Sequence, residues 1–460
     1  MKMKTKLTTL FLLSASLCTL QALEPFRIQV VDRQSGWPVP LVELKTVGYV
    51  RYQSDNAGVI AFDDPDLMDQ EVWFDISGHG YTVPKDGFGY RGVRLKPTPG
   101  GEATVKVDRE SIARRIGRLT GSGLFGESKK CGLMLDWEDT GVIGCDTVQT
   151  ALYKGEVFWA WGDTSLPHYP LGVFHTTAAI TPFTASFPAE PPLQVQFNLF
   201  REANGRPRGV AKLPGDGPTW ISGTLTLKDK NGEEQLCTVY NKINPPLEPY
   251  ERGLARWNDE SKEFERSRIV WEKSSGQRSP TLPDGHPAFW RDEETGIEWV
   301  FFGDPLPRLK CKATFEDWSN PDAWEKVESP RTLTSATDEQ EVRLHTGSIQ
   351  WSEYRKRWVA LFVQSGGKSS YLGDLWYAEA RSPLGPWGKA VPILSHDRYT
   401  FYNPRLHPEL APADKPYLLF EGTYTMTFEG RAFPTARYEY NQILYRLDLD
   451  EPKLKPAFVD

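Results

Sequence analysis

The apolar and polar positions along the chain fall into two regimes. Between residues 25 and 108 short runs of strand length alternate with turn residues: "FRIQVVD", "LVELKTV", "YVRYQSDNAGVIAFDD", "EVWFDISGHGY" and "ATVKVDR". Runs of this length, bounded by Gly, Pro, Asn and Asp, predict a small antiparallel β-sandwich. From about 131 onward a longer unit repeats, made of a strand, a turn, a strongly apolar strand and a small polar cluster. Its copies are "DTVQTALYKGEVFWAWGDT", "SGTLTLKDKNGEEQLCTVYNKI", "GHPAFWRDEETGIEWVFFGDP", "GSIQWSEYRKRWVALFVQSG" and "NPRLHPELAPADKPYLLFEGT". The apolar strands end near Trp161, Tyr240, Phe302, Phe362 and Phe420, roughly 60 to 80 residues apart.

A second strand pair follows most copies, as in "LGDLWYAEARSPLGPWGKAVPI". Four strands per unit and five units predict a five-bladed β-propeller. The second strand of a blade is covered on both faces by its neighbours, which explains the loss of polar alternation. Two packed β-sandwiches are the alternative. The last copy ends at "NQILYRLDLDEP" without a fourth strand, so the stretch around 114 to 135 is expected to help close the ring. Only "SIARRIGRL" (111–119) has helical character, and it reads as a link between the two parts.

The first residues follow a third pattern. Lys2, Lys4 and Lys6 precede the apolar "LTTLFLLSASLCTL", which is too short to span a bilayer, and "LQA" ends at Ala22 like a cleavage site. The expected organisation is therefore a signal peptide over 1–22, a sandwich over 23–108, a linker over 109–130 and a propeller over 131–460. The fold class is all-β, and the compartment is extracellular or periplasmic. No second long apolar run follows, so no membrane span is expected.

Composition narrows the chemistry. There are 61 Asp and Glu against 54 Lys and Arg, a net charge of -7. That argues against a nucleic-acid groove, which needs a basic face. Aromatic residues make up 12% of the chain, with 16 Trp; flat rings suit both sugar faces and large β cores. Cys131, Cys145, Cys237 and Cys311 are too few for a disulfide framework. Cys131 and Cys145 either pair in an oxidising compartment or stay as buried thiols. The sequence has no CxxC, HExxH or P-loop.

Residues at the same place in every repeat form a ring in space. One ring, before the first strand, holds Asp146, Trp220 or Ser222, His286, His345 and Asn403. The other, after the second strand, holds Asp163, Asn241, Asp304, Gln364 and Glu421. Carboxylates in both rings are more than a structural propeller needs. Asp beside Gly also has a turn reading, which applies to Asp163 and Asp304. Glu421 is less open to that reading, because Glu is not a turn former.

Two resemblances follow. "VVDRQSGWPVPLVELKT" and "YQSDNAGVIAFD" resemble the carboxypeptidase regulatory-like (transthyretin-like) module, with Asp55 and His79 as turn formers. "LYKGEVFWAWGDTS", "LWYAEARSPLGPW" and "FYNPRLHPEL" with "YLLFEGTYT" resemble the secreted five-bladed propellers of glycoside hydrolase family 43 and endo-D-arabinanase-like families. The second resemblance implies that Asp146 is the general base, Glu421 the general acid and Asp163 the third carboxylate. It also implies that His345 sits where some members seat a calcium ion; no cofactor is otherwise expected.

Glycoside hydrolysis needs one protonated and one ionised carboxyl, and crowding separates their pKa values. Trp220, Asp304, His345, Tyr402, Asn403, Arg405, His407, Arg437 and Asn441 are the candidates for sugar contact. Arg405 and Arg437 either fork onto an anionic sugar or pair with Glu409 and Glu439. The expected partner is a carbohydrate, and the chain is expected to be a monomer. Two other readings stand beside hydrolysis. One is a polysaccharide lyase using Tyr402, His407 and Arg405. The other is a propeller that only binds sugar or protein.

Overall fold

The computed structural model describes residues 23–121, 123–183, 187, 189–429 and 433–458. The expected signal peptide lies outside them. Among the described residues no helix is long and apolar enough to cross a membrane.

Residues 26–109 form two four-stranded sheets. One orders Val59–Phe62, Phe26–Asp32, Glu102–Arg109 and Tyr81–Thr82; the other orders Arg51–Gln53, Glu43–Thr46, Val72–Ser77 and Gly92–Leu95. Strand Phe26–Asp32 alternates buried and half-buried residues, and its Ile28 and Val30 meet Phe74 and Val105 in one apolar core. The expected sandwich is present but not wholly antiparallel, because Phe26–Asp32 pairs parallel with Glu102–Arg109. Asp55 is a turn former as expected: its Oδ1 accepts from the N–H groups of Ala57 and Val59, at 3.0 Å each.

The rest of the chain builds a three-stranded sheet of Gly144–Cys145, Thr164–Leu166 and Tyr169–Val173 and, in succession, five larger sheets. The first runs Val148–Tyr153, Glu156–Trp161, Thr177–Pro182, Asn198–Leu199. The second runs Thr219–Lys228, Glu234–Asn244, Glu248–Asn258, Glu263–Glu272. The third runs Ala288–Arg291, Glu298–Gly303, Pro307–Lys312, Glu325–Lys326. The fourth contains Glu341–Ser352, Arg357–Gln364, Asp374–Ala380 and Val391–Ser395, with Thr332–Thr334 added along the start of its long first strand. The fifth contains Thr400–Leu406, Tyr417–Thr425 and Asn441–Asp448.

Apolar clusters join each sheet to the next. Phe158 and Tyr240 join the first to the second. Val239 and Phe302 join the second to the third, and Ala288 and Phe362 the third to the fourth. Leu361 and Phe420 join the fourth to the fifth, and Leu419 and Trp159 the fifth back to the first. The five sheets thus close a ring, as in a β-propeller. Neighbouring residues Phe158 and Trp159 serve clusters on opposite sides of one strand, which is why that strand is apolar throughout.

The fourth strand of the fifth sheet is Arg114–Arg118, antiparallel to Asn441–Asp448. This stretch helps close the ring as expected, but as a strand and not as the helical link that its sequence suggested. Two lone helical turns, Glu127–Lys130 and Phe315–Ser319, are the only α segments among the described residues. The same closing strand ties the sandwich to the ring. Arg115, 2% exposed, donates to the carbonyls of Pro40 at 2.9 Å, Leu41 at 3.0 Å and His79 at 2.9 Å.

Cys131 and Cys145 are both reduced, so the disulfide alternative is not met. Burial pushes the Cys145 thiol up to about 12, which makes it an inert core thiol.

Candidate active site

Strand pairing brings Asp146 and Asp163 together at one end of the first hairpin. Val148 faces Trp161 in the register. Beyond that pair the Asp146 N–H donates to the Asp163 carbonyl at 2.9 Å, and the Gly162 N–H donates to the Asp146 carbonyl at 2.9 Å. Both side chains are half-buried.

Hydroxyls converge on the Asp146 carboxylate. Thr147 Oγ1 donates to Oδ1 at 2.5 Å and Tyr440 OH to Oδ2 at 3.0 Å, with Thr423 Oγ1 at 3.4 Å from Oδ1. Thr423 is held in turn by Gln442 Nε2 at 2.8 Å. A second chain reaches Asp146 from the fourth and fifth sheets. The Asn403 N–H donates to Thr346 Oγ1 at 3.1 Å, and Asn403 Nδ2 donates to Thr147 Oγ1 at 2.6 Å. Asn403 has φ of 51°, a left-handed conformation that Asn tolerates. Asn403 was expected to contact sugar; its amide positions Thr147.

Asp163 is in a different state. Burial, and then the neighbouring Asp146 charge, push its carboxyl up to about 6. Its Oδ1 is buried and meets no hydrogen-bond donor. A turn-forming Asp would have satisfied that oxygen with a backbone N–H, so the turn reading does not account for it. Tyr402 and Tyr440 complete the cluster. Burial and then Asp146 push both phenols well above their usual range, so both remain protonated donors at neutral pH. Tyr440 stands between Arg437 and Asn441, which the sequence offered as sugar contacts, and was not itself a candidate. Its contact with Asp146 spans 294 residues of chain, which no local pattern signals.

Glu421, the residue expected as general acid, makes no hydrogen bond to Asp146 or Asp163 among the described residues. The register pairs Tyr402 with Thr423 and Arg405 with Glu421. The strand runs on past Glu421, so Thr423 occupies the level that touches Asp146. Glu421 is 0% exposed, with its Oε1 2.9 Å from His407 Nε2, though out of line for a hydrogen bond. Arg405 Nη2 bonds Glu409 Oε1 at 2.6 Å and the Thr150 carbonyl at 2.9 Å. Burial opposes charge on His407, but Glu409 and Glu421 raise its pKa. Burial also acts against Glu409, which Arg405 and His407 nevertheless hold at about 2. Arg405, His407 and Glu421 thus form an internal network with Glu409 between the fifth and first sheets.

The remaining candidates divide. Arg437 pairs with Glu127, not with Glu439. Asn441 is buried; it donates to the Ile143 carbonyl at 2.8 Å and accepts from Thr120 Oγ1 at 2.8 Å, a structural role. Trp220 is half-buried opposite Asn241 in the second sheet. His345 is exposed, with Nδ1 3.3 Å from Thr346 Oγ1. Calcium takes six to eight oxygen ligands, usually including carboxylates. Among the described residues no group of three or more His, Cys, Asp or Glu is placed to hold a metal ion. Asp304 sits across the ring, where its Oδ1 accepts from the Gly347 N–H at 2.6 Å. Burial pushes its carboxyl up to about 7. Its charged neighbours are Asp284 and Arg308, not the Asp146–Asp163 pair.

No protein-family model matches the chain, and no curated protein matches it. Solved structures show a distant likeness. An exo-1,5-alpha-L-arabinanase from a bovine ruminal metagenomic library is 12% identical, over 67% of this chain and 94% of that one, with a TM-score of 0.40. An exo-beta-1,3-galactanase from Phanerochaete chrysosporium is 9% identical, over 67% and 61%, with a TM-score of 0.39. A Bacillus subtilis arabinanase is 11% identical, over 66% and 96%, with a TM-score of 0.33. Likeness of this extent carries no inference about activity.

Proposed function

We propose that this protein is a glycoside hydrolase whose working pair is Asp146 and Asp163. The observation that carries the reading is Asp163: a carboxyl raised to about 6 beside a second carboxylate, with one oxygen that no protein group satisfies. Asp163, protonated, delivers its proton to the glycosidic oxygen as the sugar leaves. Asp146, held as an acceptor by Thr147 and Tyr440, activates water or attacks the sugar carbon. Unequal environments for two neighbouring carboxyls are how one site supplies an acid and a base at the same pH.

The lyase reading has less support. Arg405 and His407 are committed to the buried network, and the Tyr402 phenol is held protonated. The test is a polysaccharide panel read by reducing ends and by ultraviolet absorbance, with wild type beside Asp146→Asn. Reducing ends without ultraviolet-absorbing product, lost in the variant, are expected. Undiminished turnover by Asp146→Asn would reject the assignment.

A further inference from the structure

The third and fourth sheets hold apart a cleft of about 890 Å³ beside Asp304. Asp304 follows its apolar strand as Asp163 follows the equivalent strand of the first sheet, so the cleft opens on the same face of the ring as the Asp146–Asp163 pair. One wall is the paired extension Thr332–Thr334 and Glu341–Arg343, which projects beyond the inner strand. The other is the turn that carries Asp304.

The lining is unusual in charge. Arg308, Lys326, Arg331 and Arg343 line this cleft, against two carboxyls, Asp304 and Glu328, and all four cations are exposed. The chain as a whole is acidic, at -7. Elsewhere exposed cations find carboxylates, as Lys368 finds Asp338 at 2.8 Å and Lys273 finds Glu248 at 2.6 Å. Among the described residues none of these four makes an ion pair or donates a side-chain hydrogen bond; each is absent from every such contact. A second observation points the same way. The Ser329 hydroxyl, on the same lining, is buried and has no partner.

Even with Glu328 and Asp304 on the lining the cations are in excess, and four of them in one cleft gain from a further counter-ion. Guanidinium forks match the planar oxygens of a carboxylate and the oxygens of a sulfate. We propose that this cleft is an anion-binding subsite for an acidic glycan, in which Arg308, Arg331, Arg343 and Lys326 grip uronate carboxylates or sulfate esters of the chain being cleaved. The inference rests on the hydrolase reading and specifies its substrate class. The anionic sugar contact first looked for at Arg405 and Arg437 is supplied by a different set of arginines. Asp304, at the floor, stays in part protonated near neutrality and offers the sugar hydroxyls a partner without a full opposing charge.

The test is calorimetric binding by the full chain, in 50 mM and 300 mM NaCl as chosen conditions, using three probes: oligogalacturonate, a sulfated galactan oligosaccharide and a neutral arabino-oligosaccharide. Wild type is expected to bind at least one anionic probe, more weakly at the higher salt, and to prefer it to the neutral one. The anionic probe that binds distinguishes carboxylate from sulfate. Arg308→Ala, Arg331→Ala and Arg343→Ala are each expected to weaken binding about tenfold. The side chains are exposed, so the fold tolerates their loss, and an unchanged thermal transition verifies it. Failure of wild type to bind either anionic probe, equal affinity for the neutral one, or undiminished binding by all three variants overturns the proposal. Asp146→Asn is expected to bind the anionic probe as wild type does. If that variant keeps its turnover, the hydrolase reading fails while the binding result stands.

Discussion

Replacing Asp163 by Asn is expected to make the protein more stable at neutral pH. The fold holds this carboxyl at about 6 against an ordinary 3.8, so it disfavours the charged form. At about 1.4 kcal/mol per pH unit the displacement corresponds to about 3 kcal/mol. The side chain keeps part of its solvent contact, and screening reduces the expected effect to about 1–2 kcal/mol. The sign follows from proton linkage. Below pH 3.8 the carboxyl is neutral in both folded and unfolded chains, and its contribution is fully present. As pH rises through about 6 the folded chain must ionise it, and that stability is lost. Asn has nearly the same shape and cannot ionise. Denaturant melts at pH 7.5 should therefore favour Asp163→Asn by about 1–2 kcal/mol, with the advantage fading as pH falls towards 4. A variant that is less stable at pH 7.5, or whose advantage persists undiminished at pH 4, would refute the reasoning. A residue that destabilises its own fold is the signature of a site kept for function.

Three further outcomes are expected. Tyr440→Phe removes a donor to Asp146 and should lower kcat about ten- to hundredfold with KM little changed, as measured by steady-state kinetics. Glu421→Gln leaves the buried Arg405–His407 network short of a carboxylate and should cost about 3 kcal/mol in a denaturant melt; because Glu421 does not reach the site, the surviving folded enzyme should keep the wild-type pH profile. Secretion with cleavage after Ala22 should give a mature chain that begins at Leu23, checked by N-terminal sequencing of exported protein.

The sheets were legible because doubly covered strands lose polar alternation: Phe158 and Trp159 face two different neighbours, and the run "VFWAW" records it. Asp146 and Asp163 could be paired from the sequence because one precedes the first strand of a hairpin and the other follows its second. Glu421 lies at a different level from Asp146 because a ring read from aligned strand ends assumes equal strand lengths, and Tyr417–Thr425 extends past the expected end to bring Thr423 there. Tyr440 and Thr423 reach Asp146 only after the ring closes, which is a long-range event with no local spacing. Arg405 and Arg437 show the same limit. A sequence offers several carboxylates to each arginine, and packing chose Glu409 for one and Glu127, not Glu439, for the other. The closing strand Arg114–Arg118 was expected to help complete the ring yet read as helical, because its partner Asn441–Asp448 lies at the far end of the chain.

The most direct test of the account is the pH dependence of kcat/KM for wild type and Asp163→Asn on the best substrate of the panel. If Asp163 is the acid, wild-type activity falls as pH rises above about 6, and the variant loses most of its activity together with that alkaline limb. An Asp163→Asn enzyme that keeps full activity and the same alkaline limb would contradict the central claim.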